Sequence, residues 1–245
     1  MTARATVATA ARVIGQLRRD PRTVALLLLV PVALLVLLDE LFTGQRQVFQ
    51  RVGVPMLGLF PLISMFLVTS ITMLRERTSG TLERLLTLPL SKLDILAGYG
   101  LAFGTVALVQ GVVVSIVGFG LLDLEVVNPR AVVVGLAVAN ALLGMALGLF
   151  VSAFARTEFQ AVQFMPALIF PQVMLCGLFV ARENMAGWLH AISGVLPMTY
   201  AYDALRRAAT QPALGSEFVR DVTITAAATL LALALGAATL RRRTD

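Results

Sequence analysis

Six times along its length this chain passes through about twenty residues that are almost entirely apolar. Each run is long enough to cross a hydrocarbon layer about 30 Å thick. Lipid offers the backbone no hydrogen-bond partners, so runs of this kind must fold as helices that satisfy themselves. Composition agrees, because only 14% of the 245 residues are charged, against about 25% in soluble domains. The expected fold is therefore all-α and integral to a membrane. A single domain, residues 1–245, is expected to hold spans at residues 24–42, 54–74, 95–122, 131–155, 159–180 and 219–240.

Charge orients these spans. With both termini in the cytoplasm, thirteen of the 20 basic residues fall on the cytoplasmic side: Arg4, Arg12, Arg18, Arg19, Arg22, Arg75, Arg77, Arg84, Lys92, Arg156, Arg241, Arg242 and Arg243. The opposite orientation inverts the positive-inside bias. The net charge of +6 thus marks membrane interfaces and headgroups, and nucleic acid is not expected as a partner. The first 23 residues hold no apolar signal core, so the first span is expected to serve as its own uncleaved signal.

Residues 2–20 alternate apolar and basic at helical spacing. Ala3, Val7, Ala10, Val13, Ile14 and Leu17 share one face, with Arg4, Arg12, Arg18 and Arg19 opposite. That pattern predicts an amphipathic helix on the membrane surface, the alternative being a basic leader that only sets orientation. Asp20-Pro21 then reads as an N-cap followed by proline at the first helical position, and Pro31 predicts a kink in the span that follows.

Two segments carry more than hydropathy. The loop after the second span reads Arg75-Glu-Arg-Thr-Ser-Gly-Thr-Leu-Glu-Arg-Leu-Leu-Thr-Leu-Pro-Leu-Ser. Gly80 suits an N-cap, Glu83 favours the positive helix end, and Leu82, Leu85 and Leu86 form a narrow apolar stripe before Pro89. Ser91 to Asp94 has the spacing of a capping box that opens the third span. The stripe needs either headgroups or a partner protein to cover it. The other segment joins spans five and six. Pro166 and Pro171 interrupt span five, and the string Leu196-Pro-Met-Thr-Tyr-Ala-Tyr-Asp-Ala-Leu-Arg206 follows. It is too apolar for a free loop and too broken for a span, which predicts short helices that enter the outer leaflet and turn back. Trp188, Tyr200 and Tyr202 suit such an interface.

These two strings resemble the permease subunits of ABC-2 type transporters. The first is similar to that family's E-R-x-x-G-T-L-E-x-L-L-x-x-P loop and the second to its N-P-x-T-Y-x-x-D-A-x-R segment. The family includes bacterial drug, antibiotic and polysaccharide exporters. The resemblance implies a coupling helix at residues 80–88, with Glu76, Gly80, Thr81, Leu82, Glu83, Arg84, Leu85 and Leu86 meeting a separate ATPase. It also implies an interfacial helix at residues 1–20, and outer re-entrant helices carrying Trp188, Pro197, Tyr200, Asp203 and Arg206. Two departures, Cys176 where a serine is common and Ala181 to Trp188 in place of a proline-bearing turn, lie outside the coupling loop.

A P-loop needs Gly-Lys-Ser/Thr, and the only lysine, Lys92, sits in Ser-Lys-Leu. ATP and Mg are therefore expected on the partner ATPase, two copies per complex, with no cofactor, metal or catalytic residue in this chain. The permease is expected as a homodimer or paired with a second permease. Among polar residues at membrane depth, Gln110, Asn140, Gln160, Gln163 and Gln172, the last two flank the proline breaks and are candidates for a pathway, the alternative being interhelical hydrogen bonds. Gly100-x-x-x-Gly104 and Gly144-x-x-x-Gly148 suit close helix packing. No carboxylate lies deep in a span and no half-repeats are visible, which disfavours an ion-coupled transporter. A membrane anchor without transport would not need the amphipathic loop. Few charges at membrane depth point to an amphipathic or hydrophobic cargo, such as a drug, a lipid or a lipid-linked glycan. Arginine-rich usage with one lysine points to a bacterial plasma membrane.

Overall fold

The computed structural model describes residues 3–81, 87 and 92–239, and its elements are helical. A surface helix, α1 (Ala3–Arg19), is followed by α2 (Pro21–Leu41), α3 (Arg46–Thr78), α4 (Lys92–Gly120) and α5 (Arg130–Val151). A broken stretch comes next: α6 (Glu158–Phe164), a π-helical turn (Met165–Ile169) and α7 (Phe170–Leu175). A 3-10 turn (Arg182–Asn184), α8 (Gly187–Ser193) and α9 (Pro197–Thr210) lead to α10 (Ser216–Ala238). Leu82 to Leu86 of the expected coupling helix lie outside the described residues, as do Pro89, Ser91 and the arginines at 241–243.

Asp20 caps α2 as its sequence suggests, accepting from the Thr23 backbone N–H at 3.2 Å and its hydroxyl at 2.6 Å, with Pro21 at the first position. Inside the helix, Pro31 has no N–H to give the carbonyl four residues back, that of Leu27. Gln110 of α4 supplies the missing donor, its Nε2 lying 2.7 Å from the Leu27 oxygen.

Among the described residues, five helices are long and apolar enough to cross a membrane: α2, α3, α4 from Ala97 onward, α5 and α10. The stretch expected as a fifth continuous span, residues 159–180, is instead three helical pieces that end at Leu175. Pro166 and Pro171 each remove a backbone donor, and the ladder widens into a π turn that contains Pro166 and ends shortly before Pro171. By contrast α3 runs unbroken for 33 residues through Pro55 and Pro61. At 1.5 Å per residue it is about 50 Å long, so its end reaches well beyond the hydrocarbon.

At the centre, α3 lies against α5. Leu57, Leu62 and Phe66 of α3 pack with Val133, Ala137 and Leu143 of α5, and with Tyr202 and Leu205 of α9. Gly144 and Gly148 make the close approach possible. A Cβ on Gly144 would enter the Leu62 backbone, and one on Gly148 would sit 2.5 Å from the Phe66 carbonyl oxygen. The second spaced pair behaves otherwise, because Gly100 faces open space and Gly104 meets only the Leu142 side chain at 3.5 Å. Leucines 26, 29 and 37 of α2 and 230 and 231 of α10 point outward, giving the bundle a surface suited to lipid.

The helix α1 forms as expected, but its inner face is shifted. Ala10, Val13 and Leu17 are buried with Thr6 and Thr9, whereas Val7 is 61% exposed. The cause is Gly98 of α4: a Cβ there would meet Thr9 at 2.5 Å and the Thr6 carbonyl at 3.0 Å, so the two backbones lie in contact.

Candidate functional site

Glu76 sits near the end of α3, just before the loop. The residue is only 5% exposed, and its carboxylate is surrounded by donors. Arg12 of α1 donates at 3.2 and 3.3 Å, Gln16 of α1 at 3.0 Å, and the Tyr99 hydroxyl of α4 at 2.9 Å. Arg12 also donates to the Tyr99 oxygen at 2.6 Å. Three helices thus converge on one carboxylate, and a buried charge demands such an arrangement. Periodicity placed Arg12 on the polar face of α1 and gave no reason to single out Gln16 or Tyr99. The available signal was Glu76 itself, a carboxylate at the end of a long apolar helix that needed a cation from elsewhere.

Beyond Glu76 the helix ends. The Ser79 N–H bonds the Arg75 carbonyl at 2.9 Å, and Gly80 follows with φ +72°. Gly80 therefore terminates α3 in the left-handed position after its C-cap, where the sequence suggested an N-cap for the next helix. Thr81 adjoins it, its hydroxyl 2.9 Å from that of Ser79. A cavity of about 400 Å³ lies beside this end of α3, bordered by Gln16, Asp20, Arg75, Glu76 and Thr81. Arg75 reaches across to Glu158 of α6 at 2.7 Å, and Arg77 donates to Thr239, just past α10, at 3.3 Å. The end of α3 is thus tied to α1, α4, α6 and the end of α10.

At the other end of the bundle, the segment from 182 to 206 folds on itself. Pro197 is the first residue of α9. Thr199 donates to the Ser193 carbonyl at 2.7 Å and Tyr200 to the Gly194 carbonyl at 2.6 Å. Asp203 lies between Arg206 at 3.3 Å and Arg182 at 3.5 Å, and Tyr202 packs over Gly177, whose φ is +102°. Trp188 of α8 stays 67% exposed. The motif residues therefore build a corner of short helices, held to the 121–129 loop by Asn128, whose side chain donates to the Ala208 and Gln211 carbonyls at 2.9 and 2.6 Å. Sequence reasoning also missed Asp221 of α10, fully buried and paired with Arg207 at 3.0 Å and Arg220 at 2.9 Å.

The two pathway candidates are not alike. Gln163 is exposed on α6, while Gln172 is buried on α7, donating to the Leu168 carbonyl at 3.0 Å with its Oε1 unpartnered. Gln110 bridges α4 to α2 as described, Gln160 accepts from the Arg156 N–H at 2.8 Å, and Asn140 is buried where α5 meets α3 and α9.

With this geometry in view, comparison with known proteins is decisive. The family profile for ABC-2 type transporters matches residues 4–209. The chain belongs to that family. Among similar proteins, ABC transporter G family member 20 of Dictyostelium discoideum is 28% identical over 57% of this chain and 19% of its own length. The probable multidrug ABC transporter permease YbhR of Escherichia coli is 26% identical over 62% of this chain and 41% of its own. The linearmycin resistance permease protein LnrN of Bacillus subtilis is 28% identical over 55% and 34%. The matched regions thus span less than half of each relative.

Proposed function

We propose that this ABC-2 family member is the membrane-spanning subunit of an ATP-driven exporter, with ATP and Mg bound by a separate ATPase present in two copies. The observation that carries the reading is the cluster at Glu76. Immediately before the loop, α3 is tied by its carboxylate to α1 and α4, so a push on residues 80–88 is passed to three helices together. In this reading Leu82, Glu83, Arg84, Leu85 and Leu86 form the docking helix with Gly80 and Thr81, and Glu76 transmits their displacement from inside the permease. Residues 158–175 make a sixth crossing beside the five long helices, both termini are cytoplasmic, and the membrane is a bacterial plasma membrane.

Two permease chains, identical or not, enclose the path, and Gln172 with Gln163 borders it on the broken stretch. The names of the multidrug and linearmycin resistance relatives support outward movement of an amphipathic or hydrophobic compound. The test uses the permease co-expressed with its ATPase. Leu82→Asp with Leu85→Asp should abolish co-purification while insertion is unchanged. Glu76→Gln should keep co-purification and ATP hydrolysis but lower ATP-driven transport in vesicles at least tenfold. Normal ATPase capture by the double aspartate variant would remove residues 80–88 as the contact. Transport driven by a pH gradient without ATP would sink the whole reading.

A further inference from the structure

Two cavities open at the end of α3 opposite Glu76. Arg51 and Glu76 are 25 positions apart on this helix, which places them about 38 Å apart at 1.5 Å per residue. One cavity, of about 250 Å³, lies under the short-helix corner. The other, of about 740 Å³, lies between α3, α9 and the 121–129 loop. Arg51 and Arg206 border both.

The donors here are underused. Arg51 makes no ion pair or hydrogen bond among the described residues, although Arg46, five residues earlier on the same helix, is occupied by Asp39 at 3.2 Å and by the Leu122 and Asp123 carbonyls at 2.7 Å. Arg182 and Arg206 share the single carboxylate of Asp203 at 3.5 and 3.3 Å, long for charge-assisted bonds, and Arg182 also donates to the Ser193 hydroxyl at 3.0 Å. The Tyr202 side chain is largely buried, and its hydroxyl, which makes no hydrogen bond among the described residues, lines the smaller cavity. Glu183 and Glu125 border one cavity each, and Arg207 is turned away to Glu217 and Asp221. Guanidinium forks and a phenol converging without enough acceptors call for an oxyanion with several oxygens.

We propose that Arg51, Arg206 and Tyr202 form a binding site for a phosphate group, separate from the Glu76 cluster. Two sources share that chemistry at a membrane surface, an anionic phospholipid headgroup and free inorganic phosphate. The site depends on neither the ATPase nor transport, so it stands or falls apart from the exporter reading.

The test uses the purified full chain in detergent. Native mass spectrometry in the presence of equimolar phosphatidylglycerol and diacylglycerol measures which lipid is retained. Phosphatidylglycerol should stay bound and diacylglycerol should not. Arg51→Gln, an exposed and unpaired position that cannot unfold the chain by losing a contact, should lower phosphatidylglycerol occupancy about tenfold, the loss of one charge-assisted bond. Tyr202→Phe should lower it severalfold. Arg130→Gln, which removes an equal charge from the same end of the bundle without bordering either cavity, should leave it unchanged. Inorganic phosphate, added to lipid-stripped protein, separates the sources. A rise in melting midpoint that Arg51→Gln abolishes assigns the site to free phosphate as well, and no rise assigns it to the headgroup. Equal losses in the Arg51 and Arg130 variants, or retention unaffected by Arg51→Gln and Tyr202→Phe, would overturn the proposal.

Discussion

Replacing Gln110 with leucine changes stability in opposite directions depending on a residue in another helix. Gln110 has no exposed surface, and its Nε2 serves the Leu27 carbonyl that Pro31 leaves without a helical donor. Leucine removes that donor and strands a carbonyl in an apolar setting, a penalty of about 1–3 kcal/mol. Some of this is offset, since the Gln110 Oε1 is itself buried without a partner and disappears too. The net loss should be about 1–2 kcal/mol. In a Pro31→Ala background the alanine N–H takes the Leu27 carbonyl, and the helix regains up to about 3 kcal/mol if it straightens without new strain. Gln110→Leu then deletes a superfluous amide and should be neutral or stabilising. The four proteins form a double-mutant cycle with a coupling energy of about 2 kcal/mol. Equilibrium unfolding in mixed micelles with increasing sodium dodecyl sulfate reads it. If Gln110→Leu loses the same amount in both backgrounds, Gln110 is not compensating for the proline and the reasoning fails.

Gly144→Ala should lower stability by about 2 kcal/mol. Its methyl would meet the Leu62 backbone, which cannot rotate away, and overpacking of about 1–3 kcal/mol outweighs the gain of up to about 1 kcal/mol in helix propensity. Gly135→Ala, facing open space, should be neutral or slightly stabilising in the same melts. Arg12→Ala should cost about 2 kcal/mol, less than a fully buried pair because the Arg12 side chain is 29% exposed, and it should loosen α1, seen as faster proteolysis of the first twenty residues. Asn128→Ala should lower the melting midpoint by removing two bonds worth about 1 kcal/mol each. Bonds from the Thr23 hydroxyl and backbone hold the Asp20 carboxyl below its usual range. Its capping contribution should be complete above the ordinary carboxylate range and fade as pH falls through the lowered value. Asp20→Asn should therefore flatten the acid side of a stability–pH profile, and a profile superimposable on that of the parent would exclude the cap as its source.

The helices were legible because hydropathy is written in one dimension. A run of apolar residues reports its own burial in lipid without reference to any other part of the chain, and Asp20-Pro21 similarly announces a cap whose partners lie three residues on. The stretch at 159–180 was legible only in part. Its prolines were visible, but a proline alone does not say whether a helix breaks, since α3 runs unbroken through Pro55 and Pro61. Pro31 likewise sits in an unbroken helix, with Gln110 serving the freed carbonyl, whereas Pro166 lies inside a π-helical turn and Pro171 at the start of the helix after it.

Dependence on an opposing surface explains why the cluster of Arg12, Gln16 and Tyr99 around Glu76 was not visible in the sequence. A helical wheel assigns Arg12 to solvent because arginine is polar, and Val7 to the interior because valine is not. It cannot know that the Thr6–Thr9 side of α1 lies against the α4 backbone at Gly98, where the missing side chain allows close approach. Once α1 is rotated by that contact, Arg12 faces the one carboxylate that α3 carries to this depth, and Val7 faces outward. Two glycine pairs with identical spacing make the point again: Gly144 and Gly148 join helices, while Gly100 meets nothing. Spacing states what a face can do, and the opposing surface decides whether it does so. A buried carboxylate near the end of a membrane helix is therefore a better pointer to a functional contact than a polar face, because its charge must find a partner wherever the fold puts one.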